Sequence, residues 1–71
     1  MNYVAVESSN LSAVGYDEDN KTLGVRFRNG GEYENSGVPA IVYRALLAAQ
    51  SVGKYYQAHV KDAGYRFCRI R

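Results

Sequence analysis

The chain has 71 residues, a formal net charge of +2 at neutral pH, seven tyrosines, and only one cysteine and one histidine. This length favours a single domain over residues 1–71 with a small core, and one cysteine excludes an internal disulfide. Cys68 and His59 are too few for a structural zinc site, and the longest apolar run, Ala45 to Ala49, is far shorter than the roughly 20 residues that cross a bilayer.

The first part of the chain predicts strands at two places. Tyr3 to Val6 is apolar enough for a short strand or for a tail packed on a sheet, and Leu11 to Tyr16 has the pattern of a strand with small residues on one face. The polar stretch Asp17-Glu18-Asp19 has the length of a hairpin connection, and its clustered carboxylates are tolerated only in water. It lacks the ligand count and the glycine of a calcium loop, so we interpret it as a solvated turn.

Residues 22–28 show the clearest alternation in the chain. Leu23, Val25 and Phe27 point to one side of a predicted strand, and the residues between them point to the other. Asn29-Gly30 is a strong hairpin signal, because both residues tolerate the left-handed conformation of a tight turn. A third strand over about 32–36 places Tyr33 on the face of Phe27. These segments predict a three-stranded antiparallel meander over about 11 to 36.

A helix is predicted over about 39 to 51. Pro39 suits its first position, because the missing N–H has no partner there and the fixed φ is already helical. Gly53 offers a left-handed residue just beyond the end. Residues at helical spacing form the apolar face, namely Val42, Ala45, Leu46 and Ala49, with Ile41 and Ala48 widening it.

The remaining residues predict a second, shorter helix at about 54 to 61 and a terminal strand near 65 to 70. Tyr56 and Val60 lie four apart and meet on one side of this helix. The alternation after Gly64 allows either face of the terminal strand to be buried, with arginines on the buried side extending to solvent. The predicted fold class is α+β, with the main helix packed on one face of the sheet.

Charge is distributed unevenly along the chain. Residues 1–43 carry six acidic and three basic residues, whereas residues 44–71 carry six basic residues and one acidic residue. The C-terminal part would attract a polyanion if folding leaves it free. The alternative is that the acids of the first part neutralise these cations within the molecule.

One set of residues invites a catalytic interpretation. His59, Asp62 and Cys68 could act as a thiol nucleophile, a base and an orienting acid. Their spacing specifies no known Cys-His arrangement, and a domain of this size rarely builds a catalytic cleft. We therefore expect no catalytic residue, no metal site and no cofactor, with His59 on the surface and Cys68 a packed thiol.

Aromatic and basic residues alternate in the last third of the chain. Single-stranded nucleic acid is held by cations along its backbone and by flat rings on which bases stack. The candidate nucleic-acid-binding residues are Lys54, Tyr55, Lys61, Arg66 and Arg69. The alternatives are that the tyrosines supply buried area, as expected for Tyr33, Tyr43 and Tyr56, or that they contact a protein partner.

Several short motifs, in order along most of the chain, resemble the KTSC domain family. They are Ser8-Ser9-Asn10-Leu11, Val14-Gly15-Tyr16-Asp17, Leu23-Gly24-Val25-Arg26-Phe27, Gly37-Val38-Pro39, Val42-Tyr43, Leu46-Leu47 with Ala49, Ser51-Val52-Gly53-Lys54-Tyr55 and Tyr65-Arg66-Phe67. The family takes its name from a C-terminal extension of certain lysyl-tRNA synthetases, and it also occurs as short stand-alone bacterial and phage-type proteins.

The resemblance implies a domain of unknown function, for which RNA binding is suggested by the attachment to the synthetase. The central Tyr-x-Tyr motif of the family falls on Tyr33-Glu34-Asn35, so asparagine replaces the second tyrosine. If that pair is a stacking platform, half of it is missing here. The basic C-terminal segment then becomes the better candidate surface.

Two kinds of partner remain open from the sequence. The first is RNA or other single-stranded nucleic acid, bound without catalysis. The second is a protein partner or a homodimer, because a core of this size gives marginal stability and an exposed sheet edge can pair. We expect no membrane partner, and the absence of a basic and apolar leader after Met1 predicts a cytoplasmic protein.

Overall fold

A computed structural model describes residues 1–71 and shows five strands, two α-helices and one short 3-10 helix. These are β1 (Tyr3–Ala5), β2 (Leu11–Asp17), β3 (Thr22–Phe27), β4 (Glu32–Ser36), α1 (Ala40–Ala48), α2 (Val52–His59), the 3-10 helix (Lys61–Ala63) and β5 (Arg66–Arg69). One antiparallel sheet contains all strands in the order β1-β2-β3-β4-β5. The predicted α+β class is confirmed.

The predicted three-stranded meander is present as β2, β3 and β4, and the predicted terminal strand and the N-terminal segment extend this sheet at its two sides. β1 pairs with β2, with Tyr3 opposite Gly15, and β5 pairs with β4, with Cys68 opposite Glu34. Both strands are short, so neither carries enough alternation to show its pairing in the sequence. The sheet therefore has five strands, and β1 and β5 form its two edges.

The main helix is shorter than predicted at both ends. Pro39 is its extended N-terminal cap, with ψ of 149°, and Ala49 already has extended backbone after the last turn. The hydroxyl of Ser51 accepts a hydrogen bond from the N–H of Lys54 and so begins α2. Gly53 consequently lies inside α2, and the prediction that it ends the main helix is wrong.

The apolar face of α1 is narrower than predicted. Leu46 is fully buried, but Ile41 is 67% exposed and Ala48 also faces solvent. Tyr43 supplies the missing width, because its ring stacks on that of Tyr16 with centroids 5.1 Å apart. The contact between α1 and the sheet therefore consists of a narrow row of apolar residues and the stacked pair of Tyr16 and Tyr43.

The second helix, α2, begins and ends two residues before its predicted bounds, and the 3-10 turn follows it. Gly64 then takes φ of 87°, a left-handed conformation that ends this turn and sends the chain into β5. Tyr56 and Val60 are both buried, as their spacing predicts. No helix is long and apolar enough to cross a membrane.

The core lies between the helices and one face of the sheet. Its members are Leu11, Val14, Leu23, Val25, Val38, Leu46, Val52, Tyr56 and Val60. The hydroxyl of Tyr16 donates to the carbonyl of Val38 at 2.5 Å, which ties β2 to the segment that enters α1. We call this side of the sheet the helix face.

The opposite side of the sheet, which we call the open face, carries no helix. Gly15 and Gly24 leave a shallow surface on which the N-terminal residues lie, and a Cβ on Gly24 would be 2.8 Å from the sulfur of Met1. The ring of Tyr3 covers Gly24, and the guanidinium carbon of Arg26 lies 3.8 Å from the centroid of that ring. Burial, together with the nearby carboxylate of Glu32, raises the pKa of Tyr3.

Candidate nucleic-acid interface

A cleft of about 200 Å³ opens on the helix face, between the start of the 3-10 turn and strands β4 and β5. Its walls come from the β3–β4 hairpin, from α2, from the 3-10 turn and from β5. The lining residues are Phe27, Asn29, Gly31, Tyr33, Tyr56, Lys61, Phe67 and Arg69. We call this set the aromatic cleft.

Four rings of the aromatic cleft contact one another in a chain. Phe27 meets Tyr33 edge to face with centroids 5.7 Å apart, and it meets Tyr56 in the same manner at 6.0 Å. Tyr33 in turn lies 6.1 Å from Phe67, whose side chain is 58% exposed. The predicted placement of Tyr33 on the face of Phe27 is confirmed, and the chain of rings runs from the buried Tyr56 to the exposed Phe67.

Two cations lie at the same cleft. Lys61 comes from the 3-10 turn and Arg69 from β5, the next element along the chain, so each of the two elements contributes one cation to the cleft. The guanidinium carbon of Arg69 is 5.8 Å from the centroid of the Tyr33 ring, and its Nε donates to the carbonyl of Arg71 at 3.1 Å. No carboxylate lines the cleft. The site therefore favours an anion next to a flat ring.

The strand alternation of β5 divides the predicted binding residues. Phe67 and Arg69 point to the helix face and line the cleft, whereas Arg66 and Cys68 point to the open face. Of the predicted residues, only Lys61 and Arg69 line the cleft. Lys54 is exposed on α2 outside the cleft, and Tyr55 also lies outside it.

Asn35, at the second position of the Tyr-x-Tyr motif, supports the cleft from below. It is only 2% exposed, its amide nitrogen donates to the carbonyl of Leu23 at 3.2 Å, and its oxygen accepts from the hydroxyl of Tyr56 at 3.4 Å. Burial raises the pKa of Tyr56, so the neutral phenol that donates this hydrogen bond persists above the usual range. Asn35 therefore positions a cleft ring and cannot stack on a ligand.

Sequence reasoning missed the aromatic residues that complete the cleft. Phe27 and Tyr56 were expected only as core, and Phe67 was placed on a strand of undecided orientation. The sequence does place Phe67 with Arg69, because residues two apart on a strand point to the same face of the sheet. Which face this is depends on the pairing of β5 with β4, which the sequence does not give.

The residues of the catalytic interpretation lie apart. Cys68 is exposed on the open face, while the ring of His59 contacts that of Tyr55 on α2 in a tilted arrangement, with centroids 4.3 Å apart. Asp62 accepts a hydrogen bond from the amide of Gln57 at 3.3 Å. No three acidic, histidine or cysteine side chains gather in a metal-binding group. Cys68 is consequently not the packed thiol that was expected.

The predicted acidic turn adopts a hydrogen-bonded conformation. Asp17 accepts from the side-chain amide of Asn20 at 2.8 Å and from its backbone N–H at 3.3 Å. These hydrogen bonds lower the pKa of Asp17. Lys21 follows with φ of 50°, which completes the turn.

The basic residues of the C-terminal part form no ion pair with the acids of the first part. The one salt bridge joins Arg26 to Glu32, both from the first part, with Nε and Oε1 3.1 Å apart. The C-terminal cations therefore form no direct salt bridge with these acids, and charge matching over longer distances stays a prediction. Lys61 and Arg69 are available to an external anion.

Comparison with known proteins places this chain in a family. The KTSC domain matches residues 7–65, and the chain belongs to the KTSC domain family. An uncharacterized protein of Stutzerimonas stutzeri is 40% identical over 70 residues, which span 99% of this chain and 99% of that protein. A protein of Tsukamurella paurometabola is 43% identical over 56 residues, or 79% of this chain and 84% of the relative.

The fold recurs in a solved structure of the same family. The crystal structure of a KTSC domain protein from Yersinia pestis superposes with a TM-score of 0.93, at 30% sequence identity, over 99% of this chain and 97% of that chain. The family predicted from the sequence motifs is thus confirmed. Neither the family description nor the names of these relatives mentions a tRNA synthetase, so that link and the associated RNA binding remain predictions.

Proposed function

We propose that the chain is a non-catalytic module that binds a short stretch of single-stranded RNA, or other single-stranded nucleic acid, in the aromatic cleft. The observation that carries this proposal is the meeting of Lys61 and Arg69 with the open rings of Tyr33 and Phe67, in a site without a carboxylate. Nucleic acid is the common ligand that offers flat rings and negative charges at regular spacing.

The size of the cleft favours one base over a whole cofactor. Pockets for drug-sized ligands and cofactors enclose roughly 300 to 1,000 Å³, whereas this cleft has about 200 Å³. A single base can rest on Tyr33 and Phe67 while the adjacent phosphates reach Lys61 and Arg69. With one stacked base and two cations, binding is weak and depends strongly on salt.

Replacement of one ring tests this proposal against a matched ring outside the cleft. We expect Tyr33→Ala to weaken binding of a fluorescently labelled RNA of about ten nucleotides by roughly 1 to 3 kcal/mol, the value of one stacked base. Tyr55→Ala removes a ring of the same kind from α2 and leaves the cleft intact. We expect its affinity to match that of the unmodified protein in fluorescence anisotropy titrations.

Two outcomes would contradict the proposal. One is an unmodified protein that binds no RNA at low salt, where phosphate contacts are strongest. The other is an equal loss of affinity in the Tyr33→Ala and Tyr55→Ala variants, which would place the contact outside the cleft. Circular dichroism of both variants confirms that each remains folded before the titration.

A further inference from the structure

β5 is an edge strand whose outer side pairs with nothing. It ends the strand order, it runs from Arg66 to Arg69, and all four of its residues are exposed. An edge strand presents a row of free N–H and C=O groups that can accept another strand. β1, the other edge, has only three residues.

The hydrogen bonds to β4 show which backbone groups of β5 are free. The N–H of Ile70 donates to the carbonyl of Glu32 at 2.7 Å, and the N–H of Glu32 donates to the carbonyl of Arg71 at 3.0 Å. Because backbone groups alternate along an antiparallel pair, Cys68 also directs its N–H and C=O toward β4. Phe67 and Arg69 therefore direct theirs outward, away from the sheet.

The charges beside this edge determine what can pair with it. Arg66 and Arg69 flank it on opposite faces of the sheet, Arg71 follows, and none forms a salt bridge. Like charges placed opposite each other on adjacent strands are unfavourable, and opposite charges are favourable. A second copy of β5 would bring arginines close to arginines. An acidic strand meets no such repulsion.

We infer that the β5 edge binds an extended acidic segment of a partner protein as a sixth, antiparallel strand. The segment places acidic residues opposite Arg66 and Arg69 and an apolar β-branched residue opposite Phe67, which gives the order Glu-x-Val-Glu. The backbone of Phe67 and Arg69 supplies affinity and the arginines supply selectivity. This surface goes beyond the proposed function, because it uses the free backbone groups of the β5 edge, although it shares the side chains of Phe67 and Arg69 with the aromatic cleft.

Amide hydrogen exchange followed by NMR tests this inference directly. The probe is the capped peptide acetyl-Thr-Glu-Thr-Val-Glu-Thr-amide, added to the full chain at low salt. We expect saturation to slow exchange of the Phe67 and Arg69 amides by at least about tenfold and to leave the Cys68 amide, already bonded to β4, nearly unchanged. A peptide with lysine in place of both glutamates is expected to give no protection.

Two N-methylated peptides separate strand pairing from charge attraction without altering the protein. A methyl on the valine nitrogen removes the N–H that faces the Phe67 carbonyl, and we expect the affinity to fall by about tenfold or more. A methyl on the second threonine nitrogen, opposite Cys68, removes an N–H that faces away from β5 and is expected to have little effect. Equal affinities of the two peptides would overturn the inference.

Other occupants of the edge give distinct results. A dimer mass in light scattering without peptide, with the Phe67 and Arg69 amides already protected, would assign the edge to a second copy and overturn the inference. Protection by a single-stranded RNA but not by the acidic peptide would overturn it as well. Absence of protection by any probe would also overturn the inference and would assign the arginines to the prevention of edge-to-edge association.

Discussion

The helix face and the open face of the sheet are covered by different means. On the helix face, α1 and α2 bury a continuous apolar core that contains Leu46 and Tyr56. On the open face, only the N-terminal segment lies over the sheet, with Tyr3 flat against Gly24 and Arg26 stacked on the ring. One face therefore obtains its stability from apolar burial, and the other from close contact of a single ring with glycine.

This difference explains the position of the cleft. The helices of the helix face are too short to cover β4 and β5 completely, so the rings of Tyr33 and Phe67 remain accessible beside the core. On the open face, neither Gly15 nor Gly24 lines a cavity, because Met1 and Tyr3 lie over these two glycines. The comparison predicts that substitutions in the core of the helix face lower stability most. It also predicts that nucleic-acid binding depends on the part of that face around Tyr33 and Phe67, which no helix covers.

The largest expected effect is on the core of the helix face. Leu46→Ala removes a fully buried side chain, and we expect the free energy of unfolding to fall by about 2 to 5 kcal/mol. Leu47→Ala is the matched control, because the neighbouring leucine is 43% exposed and its loss costs about 0.5 kcal/mol or less. Urea denaturation measures both. Similar losses would show that α1 does not pack through Leu46.

The open face is expected to show a smaller effect. Gly24→Val places a side chain where Tyr3 and Met1 now lie, and we expect the displaced contact to cost about 1 to 3 kcal/mol. Ser36→Val serves as a control, because Ser36 is exposed, lies on the same face and makes no side-chain hydrogen bond, and this change should leave stability almost unchanged. Urea denaturation again provides the measurement. A Gly24→Val variant as stable as the unmodified protein would contradict the close packing of Tyr3.

The hydrogen bond from Tyr56 to Asn35 is expected to contribute a similar amount to the free energy of unfolding, and this contribution depends on pH. Tyr56→Phe leaves the oxygen of Asn35 without its partner, at a cost of about 1 to 3 kcal/mol at neutral pH. Burial raises the pKa of Tyr56 above its ordinary value of 10.0. The neutral phenol of Tyr56 therefore contributes fully to the free energy of unfolding below pH 10.0, and this contribution is lost as the pH rises through the folded-state pKa.

We therefore expect the unmodified protein to lose stability more steeply above pH 10.0 than the Tyr56→Phe variant. Tyr55→Phe is the control, because Tyr55 makes no hydrogen bond through its hydroxyl and should follow the unmodified protein. Thermal denaturation at a series of alkaline pH values measures the difference. Parallel curves for the Tyr56→Phe variant and the unmodified protein would show that Tyr56 does not titrate differently on unfolding.

The sequence predicted the parts of this fold that depend on local pattern. The alternation of Leu23, Val25 and Phe27 gave β3 and its inward face, and Asn29-Gly30 gave the hairpin, in which Gly30 has φ of 95°. The helical period gave α1 and its buried Leu46. The predicted C-terminal end of α1 was wrong because Ser51 caps the next helix, so the chain leaves α1 before the last apolar residues that were assigned to it.

The cleft could not be predicted, because it depends on pairing between distant segments. Lys61 and Arg69 were among the candidate residues, but the register of β5 on β4 decides that Arg69 and Phe67 share the helix face while Arg66 does not. The sequence also gave no sign that Asn35 would hold Tyr56 from below. The sequence therefore indicated which kinds of side chain are candidates for binding, but it did not show which of them lie together in the cleft.

The salt dependence of RNA affinity tests the proposed function most directly. Two double variants remove one lysine and one arginine each: Lys61→Ala with Arg69→Ala at the cleft, and Lys54→Ala with Arg66→Ala outside it. If the cleft contacts two phosphates, the cleft variant reduces the slope of log affinity against log salt by about 1.4, while the matched variant keeps most of the slope. Equal reductions in both variants would contradict a cleft-centred site and indicate only general attraction to a basic surface.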